Sequence, residues 1–255
     1  MHVAELWQFP VKSMQGSRAD TLTLDATGVA GDRVWGVVDP DAGRVLSAKR
    51  WPALLLAAAA LDDDTGAVTI TLPDGSEHEC GDPRTDEAVS SWLDHPVVMR
   101  RADATTALPF EMHADPADDA SPTFEFTGPP GRWVDLAQAH LLTTASLRAA
   151  AALHPEGEWD VRRFRPVALV DVDGDDFVED AWIGQEVDLG AVTVTPFMPT
   201  VRCSLPTRAQ PGLARDTAIA TTLHHHHGLN LGVYGNVTAP GVVAVGDPVT
   251  VTPPG

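Results

Sequence analysis

His2-Val3-Ala4-Glu5-Leu6-Trp7-Gln8-Phe9-Pro10-Val11-Lys12-Ser13 opens the chain. From residue 2 to residue 9 apolar and polar side chains alternate as in a half-buried strand, and Pro10, which has no N–H to give a ladder, ends it. Further strands are predicted over 20–24, 33–39 and 45–49. Gly28, Gly31 and the turn Asp39-Pro40-Asp41-Ala42-Gly43 separate them. Residues 68–72 and 77–80 flank Pro73-Asp74-Gly75-Ser76 and read as a hairpin. One helix is expected from Thr85 or Asp86 to Leu93, its acidic first turn suiting the helix dipole, before extended structure resumes at 97–100.

Between 102 and 131 Asp, Ala, Pro and Gly dominate without periodicity, which reads as an inter-domain connection or a long surface excursion. Beyond it a helix is predicted over 146–153, capped by Thr144 or Ser146, and strands over 166–172, 186–189, 192–196, 242–245 and 249–251. Gly184, Gly190, Gly241 and Gly246 allow tight turns between them. The fold class is therefore mainly β with short helices (α+β): an early part that is mostly β and a second half that reads as a β-barrel or strongly bent sheet.

At 255 residues the chain can bury a substantial core, and 44% hydrophobic with 21% charged residues is an ordinary globular composition. A net charge of −19 argues against nucleic acid, which needs clustered cations to displace counterions. The apolar run 51–61 is too short to span a bilayer, and Met1-His2-Val3-Ala4-Glu5 lacks the pattern of a leader; no membrane and a cytoplasmic location are expected. The two cysteines, Cys80 and Cys203, need not pair, and Cys80 reads as incidental. The cations are 15 Arg and two Lys, which makes Lys12 conspicuous.

Cys203 lies in Pro199-Thr200-Val201-Arg202-Cys203, after a strand-like run from 191 to 198. A lone cysteine is commonly a small buried hydrophobe. Here the neighbouring Arg202 cation favours thiolate, and Ser204, Pro206, Thr207 and Arg208 make a loop, where chemistry tends to sit. Lys12-Ser13 offers an ammonium and a hydroxyl at a strand end, or only a solvated lysine. Asp32-Arg33, between Gly31 and Val34, is either a turn closed by an ion pair or a guanidinium aimed at an anion. Arg162-Arg163-Phe164-Arg165 puts three arginines in four residues, a solvated face or an anion-binding edge. No Gly-x-Gly-x-x-Gly or Gly-Lys-Ser/Thr run is present. His224-His225-His226-His227 reads as a loop, since adjacent imidazoles point apart and metal sites want spaced ligands.

Phe9-Pro10-Val11-Lys12-Ser13, Gly28-x-x-Gly31-Asp32-Arg33-x-Trp35, Arg163-Phe164-Arg165-Pro166, Phe177-x-Glu179-Asp180-x-Trp182-x-Gly184, Arg202-Cys203 and Gly241-x-x-x-x-Gly246-Asp247 together resemble the MOSC family, the molybdenum-cofactor-sulfurase C-terminal domains, preceded by their N-terminal β-barrel partner. The resemblance implies a β-barrel-like N-terminal domain over 1–115 and a MOSC β-barrel domain over 116–255, with a molybdenum cofactor (molybdopterin) between the two domains and Cys203 as metal ligand and catalytic centre. It implies Lys12, Ser13, Arg33, Arg163, Arg165 and Arg202 as cofactor-binding residues. Many relatives read Arg-Pro-Asn where this chain has Arg165-Pro166-Val167, so a side-chain amide expected near the cofactor is missing and another group must supply its hydrogen bond or the site is rearranged.

Relatives of this two-domain type are similar to oxidoreductases that reduce N-hydroxylated small molecules: hydroxylamines, amidoximes and N-hydroxylated bases. Two cysteines cannot hold an iron–sulfur cluster, so the resemblance implies an external electron-donor protein of iron–sulfur or flavin type. The alternative is a molybdopterin-binding or sulfur-carrier protein with a persulfide on Cys203. A plain non-catalytic barrel would hold neither metal nor pterin.

Overall fold

An eight-stranded sheet organises the computed structural model, which describes residues 1–253 except 106, 116, 117 and 119. Its order is Val249–Thr252, Glu186–Leu189, Val192–Val201, Asn230–Ala239, Ala139–Thr143, Ala168–Asp171, His2–Gln8 and Ser17–Ala19. Neighbours run antiparallel except Ala139–Thr143 and Ala168–Asp171. A parallel pair needs a crossover, and the helix Thr144–Leu153 lies in it. The sheet curls until its two ends approach. Val3 N–H donates to Asp247 O at 2.9 Å, Gly246 N–H to Val3 O at 2.8 Å and Val249 N–H to Met1 O at 3.1 Å.

The opening strand is buried more deeply than its alternation suggests. Val3 and Leu6 pack inside the curl with Leu141, Val170, Val187, Val194 and Val233. Trp7 and Phe9 face the other way, against Leu142 of the sheet and Ala150, Phe164, Ile219 and Leu223 of the covering helices. Each such side chain contributes about 1.5–3 kcal/mol by leaving water. A strand covered on both faces cannot slip by one residue, which fixes where Pro10, Lys12 and Ser13 emerge.

A second core is built from residues 11–99. Val11, Met14, Val37, Leu54, Leu55, Ile70 and Val89 fill it, between the sheets Val98–Arg101/Trp35–Asp39/Arg44–Val45 and Ala58–Leu61/Val68–Thr71/Glu77–Glu79. The helix Pro83–Leu93 closes it, capped by Asp82, whose side chain accepts from Arg84 N–H. The chain thus begins in the sheet of its second half and only then builds the first unit. Residue 116, at the expected boundary, and Pro254 and Gly255 lie outside the described residues.

Several local expectations change. Only Arg44–Val45 of 45–49 is a strand, because the chain turns at Ser47 to bring Lys49 inward. The 102–131 segment contains a hairpin, Pro109–His113 against Thr123–Thr127. The helix cap is Thr143, whose hydroxyl accepts from Ser146 N–H. His224 to His227 form the last turn of the helix Ala218–His227, and His227 stacks on Phe177 at 3.7 Å and bonds to Asp180. Among the strands that escape the pattern reading altogether are Ala139–Thr143 and Asn230–Ala239. The second has glycines where neighbours press in: a Cβ on Gly232 would lie 2.4 Å from His140 Nε2, and one on Gly235 2.5 Å from Val194 Cγ1.

Candidate functional site

Where the two units meet, a cavity of about 100 Å³ is walled by Lys12, Ser13, Arg33, Lys49, Asp135, His140, Arg165, Arg202, Cys203 and Tyr234, among others. It opens past the exposed Leu136 and the half-buried Cys203. Lys12 and Ser13 follow the opening strand. Arg33 is brought in by a backbone bond from its N–H to Phe9 O at 2.7 Å, and Asp32 accepts from Phe9 N–H at 2.7 Å while pairing with Arg33. The Asp32-Arg33 dipeptide is therefore both a closed turn and a cation delivered to the cavity.

Arg165 and Arg33 flank the buried Phe9 ring, with Cζ at 4.1 and 5.2 Å from its centroid, and Arg165 Nη1 donates to Met14 O at 2.6 Å. Arg202 follows the strand Val192–Val201; its N–H donates to Leu229 O at 2.8 Å and its Nη2 to Phe164 O at 2.9 Å. Ser13 Oγ accepts from Ala48 N–H at 2.9 Å, which leaves its own proton for a ligand.

The charge is lopsided. Five cations, Lys12, Arg33, Lys49, Arg165 and Arg202, line the cavity, and Asp135 is the one carboxylate among its lining residues. Asp135 bridges the chain's two lysines, at 2.6 Å from Lys12 Nζ and 2.7 Å from Lys49 Nζ. Burial acts against its charge, but the two ammonium groups outweigh it and hold the carboxyl well below the usual range. Lys49 is pulled down by burial and raised further by Asp135, so its pKa ends above the ordinary value.

Lys12 falls to about 8, chiefly through burial, with Asp135 compensating only in part. Arg165 falls to about 9, through burial and then the Arg33 charge. Burial likewise lowers Arg202, whose Nε is buried without a partner. Burial and the Arg202 charge push His140 well below the normal histidine range, and burial raises Tyr234. Such a wall is charged beyond what its own carboxylates satisfy, and an anion entering it would relieve the excess.

Backbone strain concentrates here too. Among the described residues five non-glycines have left-handed φ, and three of them, Ser13 (70°), Arg33 (50°) and Arg165 (57°), line the cavity. Each costs of order 1–3 kcal/mol and persists because the surrounding bonds overdetermine it.

The fold thus gathers Lys12, Ser13, Arg33, Arg165, Arg202 and Cys203 from four segments. Arg163 is not brought with them. It sits in the short helix Val161–Phe164, fully buried, and donates to the carbonyls of Glu158, Pro206, Arg208 and Ala214 at 2.8–3.2 Å. This corrects its reading as a cavity residue: one helical turn directs Arg163 and Arg165 to opposite tasks, and Arg163 pins the loop after Cys203. Val167 also points away, into the apolar core.

Lys49, Asp135, His140 and Tyr234 were invisible as site residues. Lys49 had a signal, as the second of two lysines. Tyr234 had one as the single tyrosine. Asp135 is one of 36 acidic residues and had none. Among the described residues no three His, Cys, Asp or Glu side chains cluster as a metal site, and no helix is long and apolar enough to cross a membrane.

Residues 1–106 match the MOSC N-terminal beta barrel domain and residues 130–250 the MOSC domain, so the chain belongs to the MOSC family. It is 26% identical over 230 residues to mitochondrial amidoxime reducing component 2 of Bos taurus, across 80% of this chain. It spans 66% of that relative's length. A crystal structure of the YUAD protein from Bacillus subtilis matches 99% of this chain and 96% of its own, with a TM-score of 0.49 and 11% identity.

Proposed function

We propose that the cavity binds a molybdenum cofactor and that the chain is an oxidoreductase reducing N-hydroxylated small molecules. The observation that carries the reading is five lining cations, four of them buried, against one lining carboxylate, beside the sulfur of Cys203, in a chain of net charge −19. Cationic side chains stay charged in a buried wall at a cost, and a phosphorylated ligand offsets it. The donor set fits such a group. Lys12, Arg33 and Arg165 would hold a phosphoryl group, and Ser13 would donate to it.

The residues that would hold the rest of the cofactor line the same cavity, Cys203 among them. A soft thiolate is a suitable molybdenum ligand. When bound, the cofactor supplies a metal that changes oxidation state by two electrons and accepts oxygen from nitrogen. The net change is R–NH–OH plus two electrons and two protons to R–NH2 plus water. Tyr234, kept protonated by burial, lies on the wall with Cys203 as a proton donor within the cavity. The electrons would come from a separate protein carrier of iron–sulfur or flavin type, because two cysteines hold no cluster.

The test is molybdenum and pterin content, with reduction of an aromatic amidoxime by a chemical reductant, for protein made in a host that produces molybdopterin. Wild type should carry both and turn over. Cys203→Ala should keep pterin through the cations and lose turnover. Absence of molybdenum and pterin from the wild type sinks the reading, and a persulfide on Cys203 without molybdenum would point instead to sulfur carriage.

A further inference from the structure

His140 is the one imidazole on the cavity wall and takes no part in the reading above. It is 5% exposed, on the strand Ala139–Thr143, directly opposite Tyr234 in register, with the two rings edge to face at 5.5 Å. Its ring nitrogens face groups of opposite demand. Nδ1 lies 3.4 Å from Arg165 O, a pure acceptor, so it carries the proton. Nε2 lies 3.5 Å from Arg202 Nη1, a pure donor that calls for its lone pair, while the Leu231 backbone also faces the ring and competes for its proton. Across the strand pair Gly232 gives Nε2 its room, since a Cβ there would stand 2.4 Å away.

Arg202 has little else. Its Nη2 reaches Phe164 O, its Nε has no partner, and no carboxylate pairs with it among the described residues. We propose that His140 is a positioning residue, a neutral Nδ1–H imidazole whose Nε2 orients Arg202 toward an anion in the cavity without cancelling its charge. A carboxylate at this place would hold the guanidinium more firmly but neutralise it, and the ligand would lose a cation. An imidazole lone pair aims the fork and leaves the full charge available. Burial and the Arg202 charge keep the ring neutral, as this arrangement requires. His140 also answers the departure at Val167: its carbonyl accepts from Val167 N–H at 2.8 Å, and its ring is the polar group that this part of the wall presents while Val167 turns to the core.

The proposal rests on the anion-binding reading of the cavity, and inorganic phosphate tests the two separately. Phosphate affinity of the full ligand-free chain is measured at fixed pH for wild type, His140→Leu, His140→Gln and His140→Glu. Leucine should weaken binding about tenfold, the worth of one charge-assisted hydrogen bond. Glutamine, which can donate to Arg165 O and accept from Arg202, should restore it to within about threefold. Glutamate should bind phosphate at least as weakly as leucine while the fold is no less stable. In an Arg202→Met background, His140→Leu should add no further loss.

A wild type that binds no phosphate overturns the cavity reading itself. A wild type that binds it, with leucine and glutamine variants equal to wild type or equal to each other, overturns the positioning role alone. Should the leucine variant fail to fold, the glutamine and glutamate variants decide: equal affinity in both refutes the proposal.

Discussion

Replacing Arg165 with methionine separates a ligand-binding cation from a structural one. Its pKa is pulled to about 9 from the usual 12.5, mostly by burial. At about 1.36 kcal/mol per pKa step, keeping this guanidinium charged costs the ligand-free fold on the order of 5 kcal/mol at neutral pH. The folded-state pKa lies below the unfolded one, so the cost is fully present below about pH 9 and is relieved as pH rises from there towards 12.5. Against it stand the bond to Met14 O at 2.6 Å, about 1.5–3 kcal/mol, and the stacking on Phe9 at 4.1 Å, about 1–2 kcal/mol.

The cost equals or exceeds the gains by up to about 2 kcal/mol, so Arg165→Met should leave the ligand-free chain at least as stable as wild type in urea unfolding at pH 7.5. Phosphate affinity should drop roughly 10- to 100-fold through the lost charge-assisted bonds. This is the trade-off expected of a residue kept for binding. A variant destabilised by more than about 2 kcal/mol with phosphate affinity intact would refute the reasoning and make Arg165 a pin.

Arg163→Met should behave in the opposite way, losing about 3–5 kcal/mol because four carbonyls forfeit their donor. Well below its unfolding midpoint, the variant's phosphate affinity should stay within about twofold of wild type by calorimetric titration. Lys12, at about 8, makes anion binding pH-dependent: sulfate, whose charge is constant in this range, should bind evenly below pH 8 and progressively less as pH rises through 8 to 10. Lys12→Met should remove the part of the decline centred near pH 8 and leave the part near pH 9 that Arg165 carries. Tyr234→Phe should leave molybdenum and pterin content unchanged and lower amidoxime kcat by about 10- to 100-fold in steady-state assays, as loss of a proton donor does. A net charge of −19 should make turnover with an acidic electron carrier rise with ionic strength, and stopped-flow rates that fall with added salt would contradict it.

The strands legible in the chain are those with one uniform environment. Residues 186–189 and 192–194 alternate cleanly because Val187, Leu189, Val192 and Val194 all face the same core. Asn230–Ala239 carries Gly232 and Gly235 at points where His140 and Val194 come close, so its pattern records its neighbours and not its own backbone. Ala139–Thr143 is buried at every position, which removes alternation and leaves a five-residue run too short to read. The hairpin Pro109–His113 with Thr123–Thr127 is a two-stranded sheet on its own, built from half-exposed residues.

The site divides along a similar line. Cations could be found because they are scarce in an acidic chain: Lys12 as one of two lysines, Arg33 in a turn after Gly31, Arg165 in a run of three arginines and Arg202 beside Cys203. The same logic extends to Lys49, which differs from Lys12 only in lying in a segment that reads as strand and folds as a turn. Groups that act on those cations leave no trace of their own. Asp135 is distinguished by position alone, within reach of both lysines, and position comes from folding Trp133 N–H onto Arg33 O at 2.8 Å. His140 matters because two donor–acceptor demands meet on one ring, and each comes from a residue at least 25 positions away. Charge content is a property of the chain, whereas the aiming of charge is a property of the fold; an experiment that removes a cation tests the first, and one that exchanges His140 for glutamine or glutamate tests the second.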